Sequence, residues 1–133
     1  MPTCRIDIEA SPTFRRLVRQ YQARYPKTKS DLIDAFTRIE QDPEHAAHAR
    51  RLIGLGRSVW KYRCKHSDLS RGVRGGYRIV AVYDATNAIL RPILLYAKVD
   101  SDDVSPDVVK RAVQELREAL KAAGSRPEGT ESG

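Results

Sequence analysis

Cysteine is scarce in this chain: only Cys4 and Cys64 occur among 133 residues, with no metal-type spacing between them. That argues against a disulfide scaffold and against a zinc ribbon. Both positions fall in strand-like stretches, where a reduced thiol packs as a small apolar side chain. Long apolar runs are also missing. No segment approaches the roughly 20 residues of a membrane span, and the N-terminus has no apolar core of signal-peptide length. No membrane partner is expected, and a reducing cytoplasm is the default setting. Histidine amounts to three residues. His45 and His48 stand three apart with Glu44 beside them, but no further ligand set accompanies them, so neither a metal nor a cofactor is expected. His66 reads as a surface-loop histidine. No internal repeat is visible.

What the chain does have is positive charge. There are 24 Lys and Arg against 17 Asp and Glu, a formal charge of +7. That balance favours a polyanionic partner, either nucleic acid or a strongly acidic protein segment. The hydrophobic content, 41%, is ordinary for a folded protein. The length suits one core but not two. We expect a single domain over residues 1–123 and a disordered Ser/Gly/Glu-rich tail over 124–133.

Punctuation along the chain sets the elements. Cys4–Glu9 alternates as a short first strand. Ser11-Pro12 opens a helix as cap and first residue, with Phe14, Leu17, Val18 and Tyr21 on one face. Pro26 ends it. Ser30 is expected to cap a second helix carrying Leu32, Ile33, Phe36 and Ile39, stopped by Asp42-Pro43. The linker is short, so the two helices should form an antiparallel hairpin. His45–Arg51 reads as a further helical turn or two. Strands follow at about 59–65, 77–83 and 89–98, and Pro92 inside the last marks an edge or a bulge. Ser105-Pro106 starts a final helix, with four aspartates at its positive end, Asp100, Asp102, Asp103 and Asp107. The order is β-α-α-β-β-β-α, an α+β fold with a three-strand antiparallel meander.

The densest signal lies between Arg57 and Arg78, where seven basic residues face a single acid, Asp68. Lys61, Arg63 and Lys65 alternate with Trp60, Tyr62 and Cys64. A strand turns alternate side chains to opposite faces, so the cations share one face at about 7 Å per step. That step suits successive phosphates of a nucleic acid strand. Arg71 and Arg74 add charge in the loop that follows. Trp60 is a candidate for stacking a base, although packing competes for it.

These residues in this order resemble the RelE/ParE superfamily of bacterial type II toxins. The likeness spans about residues 3–104 and is carried by WKYRCK (60–65), RGGYRIVAVYD (74–84) and PILLYAKVDSDDVS (92–105). The resemblance implies a four-stranded, mainly antiparallel sheet packed against an N-terminal helix hairpin and a C-terminal helix. It also implies one of two activities. RelE-type members cut mRNA in the ribosomal A site. ParE-type members inhibit DNA gyrase, and a member that binds without cutting is a variant of that alternative. Either type is neutralised by a cognate antitoxin with an acidic or amphipathic segment.

Cutting RNA by 2′-oxygen attack needs a base, an acid and positive charge on the phosphorane. RelE-type sites crowd cations together, which pushes a lysine toward accepting a proton. By that resemblance Lys61 is the candidate base and Arg63 and Arg78 are phosphate clamps. Lys65 and Lys98 supply supporting charge or the acid. Some members carry a tyrosine after the acidic stretch, where Ser105 stands here. Others use a C-terminal histidine, and this chain has none after His66. Tyr96 or Lys98 is left to supply the acid.

Overall fold

The computed structural model describes residues 6–55, 58–100 and 104–123. Cys4, Arg57, Asp102, Asp103 and the expected tail 124–133 lie outside the described residues. The described elements are β1 (Asp7–Ile8), α1 (Pro12–Arg24), α2 (Thr28–Gln41), β2 (Arg50–Leu52), β3 (Val59–Cys64), β4 (Tyr77–Asp84), β5 (Ile89–Ala97) and α3 (Pro106–Ala122). The fold is α+β. Its mixed sheet has the order β1-β5-β4-β3-β2, with β1 parallel to β5 and the other pairs antiparallel. None of the described helices is long and apolar enough to cross a membrane.

Local chemistry accounts for most boundaries. Ser11 accepts a hydrogen bond from the Phe14 amide at 3.1 Å and Pro12 opens α1. Ser105 does the same for the Val108 amide at the start of α3. Pro92 sits at a bulge, where β5 shifts register against Val80 and Ala81. A residue without an N–H is tolerated where the ladder is broken.

Two expectations are corrected. Helix α2 begins at Thr28, not after a Ser30 cap. The Thr28 hydroxyl is drawn into the core against the Tyr77 hydroxyl at 2.6 Å, and Ser30 instead bonds back to the Lys27 carbonyl. The stretch 45–51 is not helical beyond one 3-10 turn at Ala46–His48, because Ala47 and His48 take left-handed backbone. The chain then pairs Arg50–Leu52 with Lys61–Val59, which adds a fifth strand to the expected four.

The sheet is covered on both faces. On one, Phe14, Leu32 and Ile39 of the hairpin pack against Tyr62, Cys64, Tyr77, Ile79 and Leu95. On the other, Val109, Val113 and Leu116 of α3 pack against Val59, Val80, Val82 and Ile93. Strand β4 lies between the layers, with Tyr77 to Val82 all buried. This explains why it reads as a continuous apolar run once Arg78 is set aside.

Candidate nucleic-acid interface

Register decides which cations meet. Lys61 pairs with Arg50 across the β2–β3 ladder and with Val80 across β3–β4. Arg63 pairs with Arg78, and Arg78 in turn with Tyr96. Directly opposed residues share a face, so Arg50, Lys61, Arg63, Arg78 and Tyr96 lie on one side of the sheet. It is the side on which α3 packs. The helix covers Val59, Val80, Val82 and Ile93, while Lys61 and Arg63 remain half-buried.

Two of these cross-strand pairs, Arg50–Lys61 and Arg63–Arg78, oppose like charges. Such pairs hold Cβ atoms about 5 Å apart and weaken a sheet. Arg50 escaped the sequence reading because residues 45–51 were read as helix. Two consecutive arginines carry no alternation signal, and this strand is recognisable only through its partner.

The remaining expected residues are distributed as follows. Lys61 lines a hollow of about 320 Å³ with Arg50 and Arg51, against Pro106 and Val109 at the start of α3. Lys98 donates its amide to the Gly76 carbonyl and lines a different, larger cleft of about 770 Å³ with Arg71 and Arg74. Arg78 is only 6% exposed. Its guanidinium donates to the carbonyls of Val73 (2.9 Å), Tyr77 (3.1 Å) and Arg74 (2.6 Å). The expected phosphate clamp is therefore a buried group, bonded to the loop before its own strand.

Two other expected residues leave the cationic face. The strand ends at Cys64, and the Lys65 ammonium lies 3.9 Å from the carboxylate of Asp34, on the helix packed on the opposite side. Trp60 faces the hairpin side, packed at the core edge with its indole N–H on Ser58 Oγ at 2.7 Å. It stacks no base held over Lys61 and Arg63. Strand alternation already separated it from them.

His66 is not a surface residue. It is fully buried, stacked on Tyr77 with ring centroids 4.3 Å apart and met edge-on by Tyr25 at 4.5 Å. Neither ring nitrogen has a hydrogen-bond partner among the described residues. Burial lowers its pKa, against the opposing pull of Asp68, Asp31 and Asp100. Asp31 is buried nearby and accepts from the Ser67 amide (2.8 Å) and hydroxyl (2.6 Å), pinning the turn that follows. Burial also pushes the Cys64 thiol up to about 12, which leaves it a packing group rather than a nucleophile. Among the described residues no group of three or more His, Cys, Asp or Glu is placed to hold a metal.

No protein-family model, no curated protein and no solved structure matches this chain.

Proposed function

We propose that this chain is a RelE-type toxin, a ribosome-dependent endoribonuclease that cuts mRNA in the A site and blocks translation. One observation carries the reading: the register sets Arg50 against Lys61 on the face that also bears Arg63. A sheet that sets cation against cation gains when a polyanion lies over it. In the reaction the 2′-oxygen attacks phosphorus and the 5′-oxygen departs. Lys61, when neutral, takes the 2′-proton, and Arg63 stabilises the charge on the phosphorane. Tyr96, opposite Arg78 on the same face though only 9% exposed, is the hydroxyl this reading assigns to protonate the leaving oxygen. The ribosome positions the message, so the protein itself needs to supply mainly charge and proton transfer.

The partner in this reading is a cognate antitoxin with an acidic or amphipathic segment. A groove of about 460 Å³ between α1 and α2 supports it. Val18, Ile33 and Phe36 lie in its apolar lining, and Arg15, Arg19 and Lys29 line it as well. Ile33 is 66% exposed and sits beside Val18 and Phe36, so the groove presents an apolar patch rather than a lone side chain.

A second reading, a ParE-like gyrase inhibitor or a member that binds nucleic acid without cutting, draws on the burial of Arg78. A guanidinium bonded to three carbonyls is poorly placed to grip a scissile phosphate. A purified translating system decides between them. We expect message cut at the A-site codon. Intact message together with blocked DNA supercoiling would replace the first reading by the second.

A further inference from the structure

We infer that the cleft between the Ser70–Gly75 loop and Lys98 is a phosphate-binding subsite, and that Arg78 serves it from beneath as a positioning residue. The ligand class is a phosphodiester of a single strand, next along from the one lying over Lys61 and Arg63. This rests on the polyanion-binding part of the proposed function, not on cleavage.

The cleft holds three cations, Arg71, Arg74 and Lys98, with Ser70, Gly72, Gly75 and Val99, and none of the described residues that line it is a carboxylate. None of the three cations forms an ion pair among the described residues. Like-charged groups gathered without a counter-charge repel one another, and an entering phosphate relieves that repulsion.

The loop is built to hold still. His66 and Arg71 exchange backbone hydrogen bonds at 2.7 and 2.9 Å, closing its first half. Gly76 closes the second half: a Cβ there would overlap the Cys64 carbonyl oxygen and reach within 2.9 Å of Gly72 O and His66 N. The Arg71 side chain lies across Gly75, with Cδ and Nη1 each 3.5 Å from where a Cβ would stand.

Arg78 supplies the remaining condition. Carbonyl oxygens facing a cleft repel an anion. Here the carbonyls of Val73 and Arg74 are turned inward onto the Arg78 guanidinium. The loop's acceptors are thus bonded underneath while its arginines line the outside. Arg78 sets the polarity of the cleft by holding carbonyls away from it.

The test uses the full chain and two probes, inorganic pyrophosphate and a short 2′-O-methylated RNA strand that cannot be cut. In the wild-type protein, pyrophosphate should move the amide resonances of Ser70, Gly72 and Gly75 and leave Gly54, in the distant turn, in place. The Arg71→Ala/Arg74→Ala variant should bind it at least tenfold more weakly. For the strand, log affinity falls with log salt by about 0.7 per phosphate neutralised. The double variant should therefore flatten that slope by about 1.4. Arg78→Gln and Arg78→Lys should each reproduce much of that flattening in the wild-type background and add almost nothing in the double-variant background. A direct Arg78–phosphate contact would instead make Arg78→Gln subtract about 0.7 in both backgrounds while Arg78→Lys, which keeps the charge, subtracts little, and would overturn the positioning role. Variants that lose the fold altogether would make Arg78 a strut of the whole sheet and overturn it too. Loop amides unmoved by pyrophosphate would overturn the subsite. If the strand binds with a slope indifferent to Arg71 and Arg74, the subsite falls while the polyanion reading stands. If pyrophosphate binds at the loop but the strand does not bind, the polyanion reading falls and a free-phosphate site remains.

Discussion

Single residues carry two opposite kinds of constraint here. Gly76 is constrained by backbone: an added methyl meets a carbonyl oxygen, which cannot swing aside as a side chain can. Gly76→Ala should cost about 3 kcal/mol or more. Gly75→Ala, whose methyl meets only the Arg71 side chain at 3.5 Å, should be neutral or slightly stabilising. Chemical denaturation of the two variants side by side checks this, and equal midpoints would contradict the packing argument. On the proposed function, Arg63 is constrained by ligand rather than by fold. Its opposition to Arg78 weakens the ladder, so Arg63→Thr should raise stability by about 0.5 kcal/mol while lowering RNA affinity. A variant that loses both stability and affinity would show that Arg63 is structural. The alternation of Trp60, Tyr62 and Cys64 with Lys61 and Arg63 is legible in the sequence, because period two is a property of the backbone. The ends of long side chains were not. Arg78 sits on the expected face, yet its guanidinium folds back onto Val73 and Arg74, and that depends on a loop whose path no local pattern encodes.

At the scale of elements, the legible parts were those with their own start and stop chemistry. Ser11-Pro12 and Ser105-Pro106 announce their helices, and Pro92 announces its bulge. Strand β2 was missed because three residues, two of them arginine, become a strand only by pairing with Val59–Lys61. The loop from His66 to Arg74 reads as polar, and His66 as a surface histidine. In fact His66 closes it from inside, sandwiched between Tyr25 and Tyr77. That burial has a consequence for pH. The ordinary value of this imidazole is 6.5, and burial lowers it in the folded chain. The unfolded chain then binds the proton more readily. The stability held above about pH 6.5 is lost as pH falls below that value toward the depressed one. Carboxylates begin to contribute only lower down, so the window is about pH 5 to 6.5. Thermal midpoints across that window should fall for the wild-type protein. They should be flatter for His66→Phe, which keeps a ring to stack on Tyr77. A variant curve as steep as the wild type's would mean that His66 is not the group responsible.

For the molecule as a whole, the arrangement separates two surfaces by the thickness of the sheet. The paired cations lie on the face where α3 packs, and the apolar groove with Ile33 lies in the hairpin packed on the other face. The amphipathic pattern of each helix showed that it has an apolar stripe, but not which face of the sheet would receive it, because a stripe is satisfied by either. On the proposed function, target and antitoxin should be separable by mutation. Ile33→Asp puts a charge where an apolar helix stripe would dock and sets a carboxylate against an acidic partner. It should weaken antitoxin binding at least tenfold, about 1.4 kcal/mol or more, and leave single-strand affinity within twofold. The Arg71→Ala/Arg74→Ala variant should do the reverse, lowering strand affinity while antitoxin still binds. If the proposed antitoxin docks in this groove, added salt should slow its association, since Arg15, Arg19 and Lys29, which line the groove, would steer an acidic segment toward it. Titration of each variant with the product of the adjacent reading frame and with an uncuttable strand measures both affinities. If Ile33→Asp weakens both equally, the antitoxin and the nucleic acid share one surface, and the division of labour across the sheet is wrong.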